Sequence, residues 1–206
     1  MKINILGSGP FGRFLRELTE PFFEFGEDAK TVILAVPISA YNSLAKSYVD
    51  RHLVNVCSTQ GPSTDILLRH TANITCVHPL FGRNTPADKR YAIVTRVLST
   101  NSVRQNPFAG NEVALFDGLS QICKLHFRDY NGNPFSPGTH DRLMARTHIA
   151  ALVAAKRIKR LVERADDVPD EYLPNSFRLL RQFVATVDRM PIGTVQSIMA
   201  NPFRHN

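Results

Sequence analysis

No apolar run in the chain approaches the ~18 residues that a membrane-spanning helix requires. Its N-terminus has neither a basic region nor a long apolar stretch, since the apolar residues there are only Ile3–Leu6. A secretory signal peptide needs both. These absences lead to the expectation of a cytoplasmic protein with no membrane partner. Cysteine is scarce: Cys57, Cys76 and Cys123 fit no metal-binding spacing and cannot all pair. Reduced, mostly buried thiols and no bound metal are therefore expected. No internal repeat or low-complexity tract is present. With 43% hydrophobic and 21% charged residues, the 206-residue chain is expected to fold into a packed core, as one large domain or two small ones.

The net charge is +7, which suits anionic ligands such as phosphates or carboxylates. The densest basic cluster, Lys156-Arg157-Ile158-Lys159-Arg160 with Arg164 one turn on, reads as a solvated helix face. Nucleic acid is not expected as a partner, because no aromatic or base-reading residues accompany the cluster. A small anionic substrate fits the charge better.

Hydrophobic patterning divides the chain in two. Lys2–Leu6 reads as a strand, Phe11–Leu18 as a helix with Phe11, Phe14, Leu15 and Leu18 on one face, and Thr31–Val36 as a buried strand. Ser39–Tyr48 (helix), Leu53–Cys57 (strand), Thr64–Arg69 (helix) and Ile74–Val77 (strand) follow. The stretch from Phe22 to Asp28 leaves no room for much structure. Alternating strands and helices with short joins predict a parallel sheet covered on both faces. Tyr91–Leu98 and Lys124–Phe127 read as further strands flanking a helix over Glu112–Cys123. Beyond Asn131-Gly132-Asn133-Pro134 only helices are predicted: one over Thr139–Arg164, one over Ser176–Met190 and a last piece over Thr194–Ala200, with Pro169–Pro174 as a linker.

Gly7-Ser8-Gly9-Pro10-Phe11-Gly12 follows the first strand and opens the first helix. In that context Gly7 makes the tight turn, Gly9 lets the backbone approach a pyrophosphate, and Gly12 lets helix and sheet pack closely. The helix N-terminus then faces the phosphates. The fingerprint lacks its acidic residue for the ribose hydroxyls. Glu24, Glu27 and Asp28 lie near the required distance and read as loop carboxylates; the one alternative is Glu24 at the end of a very short strand.

Ser58 and His78 both follow apolar strands, and the carboxyl ends of parallel strands line the ligand crevice. A neutral imidazole there can accept a proton from a hydroxyl near neutral pH. Pro79 and Gly82 constrain the backbone around His78.

Val54-Asn55-Val56-Cys57-Ser58 followed by His78-Pro79-Leu80-Phe81-Gly82 resembles the prephenate and arogenate dehydrogenases of tyrosine biosynthesis. Thr31–Pro37 is similar to the family strand on the nicotinamide side of the pocket, which points to Val36 and Pro37. Thr139-His140-Asp141-Arg142-Leu143-Met144-Ala145 resembles the start of the family's dimerising helical domain, and Ser176-Phe177-Arg178 an aromatic–arginine pair in a later helix. The resemblance implies an abbreviated Rossmann-type α/β domain over residues 1–130 and an all-helical substrate and dimerisation domain over 131–206. It implies a homodimer and NAD or NADP bound at Gly7, Ser8, Gly9, Pro10, Phe11, Gly12, Val36 and Pro37. It implies oxidative decarboxylation with His78 taking the hydroxyl proton. Ser58 would bond both that hydroxyl and the histidine.

The chain also departs from the family pattern. The span from Gly12 to Thr31, where adenosine is normally held, is short. Leu152 stands where a substrate-facing histidine is expected, and His148, one turn earlier, could replace it only on a rotated or shifted helix. Thr186 stands near the place of a second substrate arginine; Arg178, Arg181 or Arg189 could compensate. Asn55 and Gln60 replace the usual acidic and basic residues flanking the serine. The leading reading is a compact dehydrogenase that uses Arg178 and His148 for substrate. Its rivals are a non-catalytic or repurposed small-molecule-binding relative and a reductase of another small substrate, such as an imine or keto acid.

Overall fold

Alternating side chains place the sheet in the middle of its layer. In the computed structural model, which describes residues 1–96 and 109–204, Ile3, Ile5, Ile33, Val54 and Val77 pack on one face with Leu15, Leu115 and Leu119. Val32, Leu34, Leu53, Ile74 and Cys76 pack on the other with Tyr41, Ala45 and Leu67. Residues one apart along a strand point to opposite faces, so both faces of each central strand are apolar and both need helices over them.

The chain runs β1 (Lys2–Leu6), α1 (Pro10–Thr19), β2 (Glu24–Phe25), β3 (Thr31–Leu34), α2 (Tyr41–Ser47), β4 (His52–Asn55), α3 (Gln60–Leu68), β5 (Ile74–Pro79), β6 (Tyr91–Arg96), α4 (Ala109–Ser120) and β7 (Lys124–His126). A 3₁₀ turn, Ile38–Ala40, leads into α2. The strands lie in the order β2-β1-β3-β4-β5-β6-β7. This is a Rossmann-type sheet whose outer half is cut down: β2 is two residues long, and the chain returns directly across β1 to β3. The crevice at the carboxyl ends of β1 and β3 is thus the switch point where open α/β sheets take ligands.

The expectation of a wholly parallel sheet is corrected at one place. β6 runs antiparallel to β5, with His78 opposite Ile93. Parallel strands need a crossover of a dozen or more residues, usually a helix. The segment from Leu80 to Arg90 carries only the 3₁₀ turn Ala87–Lys89, so the chain folds straight back. Parallel pairing resumes between β6 and β7 after α4. The expected extension of this strand to residues 97–98 lies outside the described residues.

Two compact units divide at Asp141/Arg142. The boundary falls within α5 (Pro137–Met144), which continues through a π-helical turn, Ala145–Ile149, into α6 (Ala150–Glu163). The second unit adds a 3₁₀ turn Asp170–Tyr172, α7 (Asn175–Asp188) and α8 (Ile192–Met199). Lys159 pairs with Asp188 at 2.6 Å, and Arg181 donates to the Ala165 carbonyl at 2.9 Å. Partners advancing along α6 while receding along α7 make the two helices an antiparallel hairpin. Ala155, Val162 and Val184 are buried in this unit, and Lys156, Arg157, Arg160 and Arg164 are solvated, as the sequence suggests.

Candidate active site

The glycine turn is shaped by contacts that no side chain would permit. Gly7 has φ +133°, and a Cβ there would collide with the Ala35 carbonyl. A Cβ on Gly12 would collide with the Gly7 carbonyl, so the helix start lies directly on the turn. At Gly9 the corresponding space is open. Pro10 occupies the first turn of α1, and no acidic residue stands there to oppose an anion. The first-turn amides of Phe11 and Gly12 have no helical acceptor, and the helix dipole favours negative charge before them. The Arg13 guanidinium donates to the Ser8 carbonyl and adds a cation to the turn. This cradle fits a pyrophosphate. Val36 and Pro37 leave β3 beside it, with Ala35 packed on Gly7 and Val36 half-buried against the core.

The adenosine end is different. β2 pairs with β1 only through Lys2–Glu24 and Ile3–Phe25. Glu24 therefore lies four residues, or about 13 Å at ~3.3 Å per residue, short of the level of Leu6. It cannot stand at the carboxyl edge where a ribose carboxylate belongs. Asp28 is tied to Lys2 at 2.9 Å, which holds its carboxyl below the usual range. Where a longer β2 would reach the Ile5 carbonyl, the Arg16 guanidinium donates to that carbonyl at 3.1 Å and lies 4.7 Å above the Phe25 ring centre.

His78 is held from the side of α3. It is 3% exposed, and its Nδ1 lies 2.9 Å from Nε2 of His140. His140 Nδ1 lies 2.8 Å from Oδ1 of Asp141. The Asp141 carboxylate accepts the backbone N–H of Gln60 on Oδ1 at 2.7 Å and that of Gly61 on Oδ2 at 2.8 Å, so it caps the N-terminus of α3. His140, Asp141 and Gln60 are fully buried. Gln60 ties the cluster down further: its Nε2 donates to the Cys57 carbonyl, and its Oε1 accepts the Thr95 hydroxyl. Nδ1 of His78 faces His140, and Ser58 sits half-buried in the loop between β4 and α3.

Asn55 likewise has an internal role. Its Oδ1 accepts the Tyr41 hydroxyl and the Cys57 N–H, and its Nδ2 donates to Ser63 at 2.8 Å. It pins the loop that carries Ser58. Sequence reasoning missed His140 and Asp141 as partners of His78. The available signal was two adjacent polar residues at a helix start, where one carboxylate can cap another helix.

The remaining candidates lie in the second unit. His148 is half-buried within the π turn. Arg178 donates to the Asp170 carbonyl at 2.6 Å and braces the 3₁₀ turn. Arg181, Gln182, Ala185, Thr186 and Arg189 border a shallow, open depression along α7 and its C-terminal end.

No protein-family model and no curated protein sequence matches the chain. Solved structures match its fold over nearly its whole length. Prephenate dehydrogenase from A. aeolicus, solved with hydroxyphenyl propionate and NAD⁺, is 13% identical with a TM-score of 0.61, over 98% of this chain and 82% of that one. Synechocystis arogenate dehydrogenase is 16% identical with a TM-score of 0.56, over 97% and 87%. Plasmodium falciparum pyrroline carboxylate reductase, solved with NADP bound, is 13% identical with a TM-score of 0.53, over 98% and 80%. The chain has the fold these dehydrogenases and reductases share.

Proposed function

We propose that the chain is an NAD(P)-dependent oxidoreductase of the prephenate dehydrogenase type, acting on a cyclohexadienyl acid. The observation that carries this reading is His78, fixed by buried bonds at the end of β5, in the same sheet whose first strand ends in the glycine cradle. The bound nicotinamide would supply the hydride acceptor. The chain's own residues would do the rest. The cradle holds the pyrophosphate by backbone N–H groups. His78 takes the proton of the substrate hydroxyl as the carbon bearing it loses hydride, and the bond to the ring carboxylate breaks to release carbon dioxide and leave an aromatic ring. Ser58 orients the hydroxyl. Apolar side chains exposed on the second unit, among them Leu161, Leu179, Leu180 and Ile192, support a homodimer that covers them.

A second reading, a non-catalytic relative that kept the fold, is favoured by one observation: the ribose-binding carboxylate is missing from the end of β2. Calorimetric titration with NAD and with NADP separates the two. Binding of either at micromolar concentration supports the dehydrogenase, and binding of neither removes it. Turnover of prephenate and arogenate then decides the substrate, and sedimentation velocity decides the dimer.

A further inference from the structure

We propose that Asp141 and His140 are positioning residues for His78: they fix which ring nitrogen carries its proton, and they receive the proton that His78 takes from substrate. The second half rests on the dehydrogenase reading; the first does not.

The argument starts at Asp141. Each of its oxygens accepts a backbone N–H from the first turn of α3, the arrangement of an ionised carboxylate, which has only acceptors to offer. His140 Nδ1, 2.8 Å from Oδ1, must therefore be the donor. In a neutral ring this makes Nε2 an acceptor. His78 Nδ1, 2.9 Å from that Nε2, must then carry the hydrogen and donate it. Proton transfer to His78 consequently falls to Nε2. A carboxylate that orients one imidazole is familiar as a way of setting a tautomer; here the setting passes through a second imidazole before it reaches the base.

The same chain of bonds handles the proton after transfer. The substrate O–H bond breaks and a bond from hydrogen to His78 Nε2 forms. The Nδ1–H bond of His78 breaks, and that hydrogen bonds to Nε2 of His140. His78 ends neutral with its proton on Nε2. The positive charge rests on His140, in contact with the Asp141 carboxylate. The charge is thus moved one ring away from the reacting carbon and neutralised by a buried partner, where low polarity strengthens the attraction.

The test is heteronuclear NMR of the apo protein labelled with ¹⁵N-histidine, which reads the tautomer of each ring, with His78→Ala and His140→Ala used to assign the signals. At pH 7.5, His78 and His140 are both expected as Nδ1–H tautomers. Finding His78 as the Nε2–H tautomer overturns the proposal in the unmodified protein, whether or not any variant folds. In Asp141→Leu no acceptor faces the His140 Nδ1–H, so both rings are expected to lose their fixed tautomer and show a mixture; rings still wholly Nδ1–H would overturn the proposal as well. In the same variant the single-turnover rate is expected to fall at least a hundredfold, the scale of a general base placed in the wrong protonation state, while nicotinamide affinity stays within threefold. A rate within threefold of the original overturns the proton-receiving half. Failure of NAD and NADP to bind the unmodified protein would end the dehydrogenase reading and leave the tautomer result standing.

Discussion

Two buried histidines stand on neighbouring strands of one sheet, and their surroundings differ in kind. His52 opens β4; its Nδ1 lies 3.3 Å from the Thr31 hydroxyl and its Nε2 2.8 Å from the Thr75 hydroxyl. Hydroxyls satisfy a neutral ring but do not neutralise a charged one. Burial therefore pushes its pKa down to about 4, with the Glu112 carboxylate opposing the shift only in part. His78, near the end of β5, meets instead a second imidazole backed by a carboxylate. Burial alone does not distinguish a structural histidine from a chemical one. Under the proposed mechanism, what distinguishes them is whether the next group along can take up charge.

Exchange of the two residues breaks the comparison most directly. Replacing His78 by Ala is expected to slow turnover at least a hundredfold, in line with general-base contributions of about 10²–10⁴. His52→Gln should leave the rate within a few-fold, as measured by single-turnover kinetics. Equal losses in the two variants would mean that the base lies elsewhere.

Acid titration sharpens the contrast through stability. The His52 ring titrates near 6.5 when unfolded and about 4 when folded, so the unfolded chain binds more protons between those values. Its contribution is complete above about pH 6.5 and is lost as the pH falls toward 4, by up to about 3 kcal/mol at ~1.4 kcal/mol per unit. Urea denaturation across this range should show the loss, and His52→Gln should flatten it. A variant curve parallel to the original would remove His52 as the cause.

Cutting the hydroxyl support comes next. Thr75 Oγ1 donates to Glu112 Oε1 at 2.8 Å while it contacts His52. Thr75→Val leaves both groups short of a partner and should cost about 1–3 kcal/mol. The smallest effect is expected where no histidine takes part. Removing the Arg16 side chain costs one hydrogen bond to the Ile5 carbonyl and one ring contact, about 1 kcal/mol at a solvent-accessible edge. Chemical denaturation measures both.

The sequence was most legible where a local rule acts alone. The glycine spacing foretold the turn, because the positive φ of Gly7 and the contact of Gly12 with the Gly7 carbonyl both lie within a single strand–turn–helix unit. The continuous apolar run at Thr31–Val36 foretold a central strand, observed over Thr31–Leu34. The return of β6 against β5 was harder to see, since nothing in Tyr91–Arg96 itself encodes direction; the short join before it does. The start of α3 at Gln60 rather than Thr64 was also hidden. Its cap comes from Asp141, 81 positions away, and no local pattern can announce so distant a partner. For the same reason His140 read as part of a helix start and not as the neighbour of His78.

The outermost strands, β2 and β7, are two and three residues long. An open sheet margin is a template on which a foreign strand can be laid down, and short margins offer little to copy. Because β2 stops early, the Ile5 carbonyl would be the next rung of that template, and the Arg16 guanidinium already holds it. At the rung where β2 stops, a single cation thus takes the place of the missing strand.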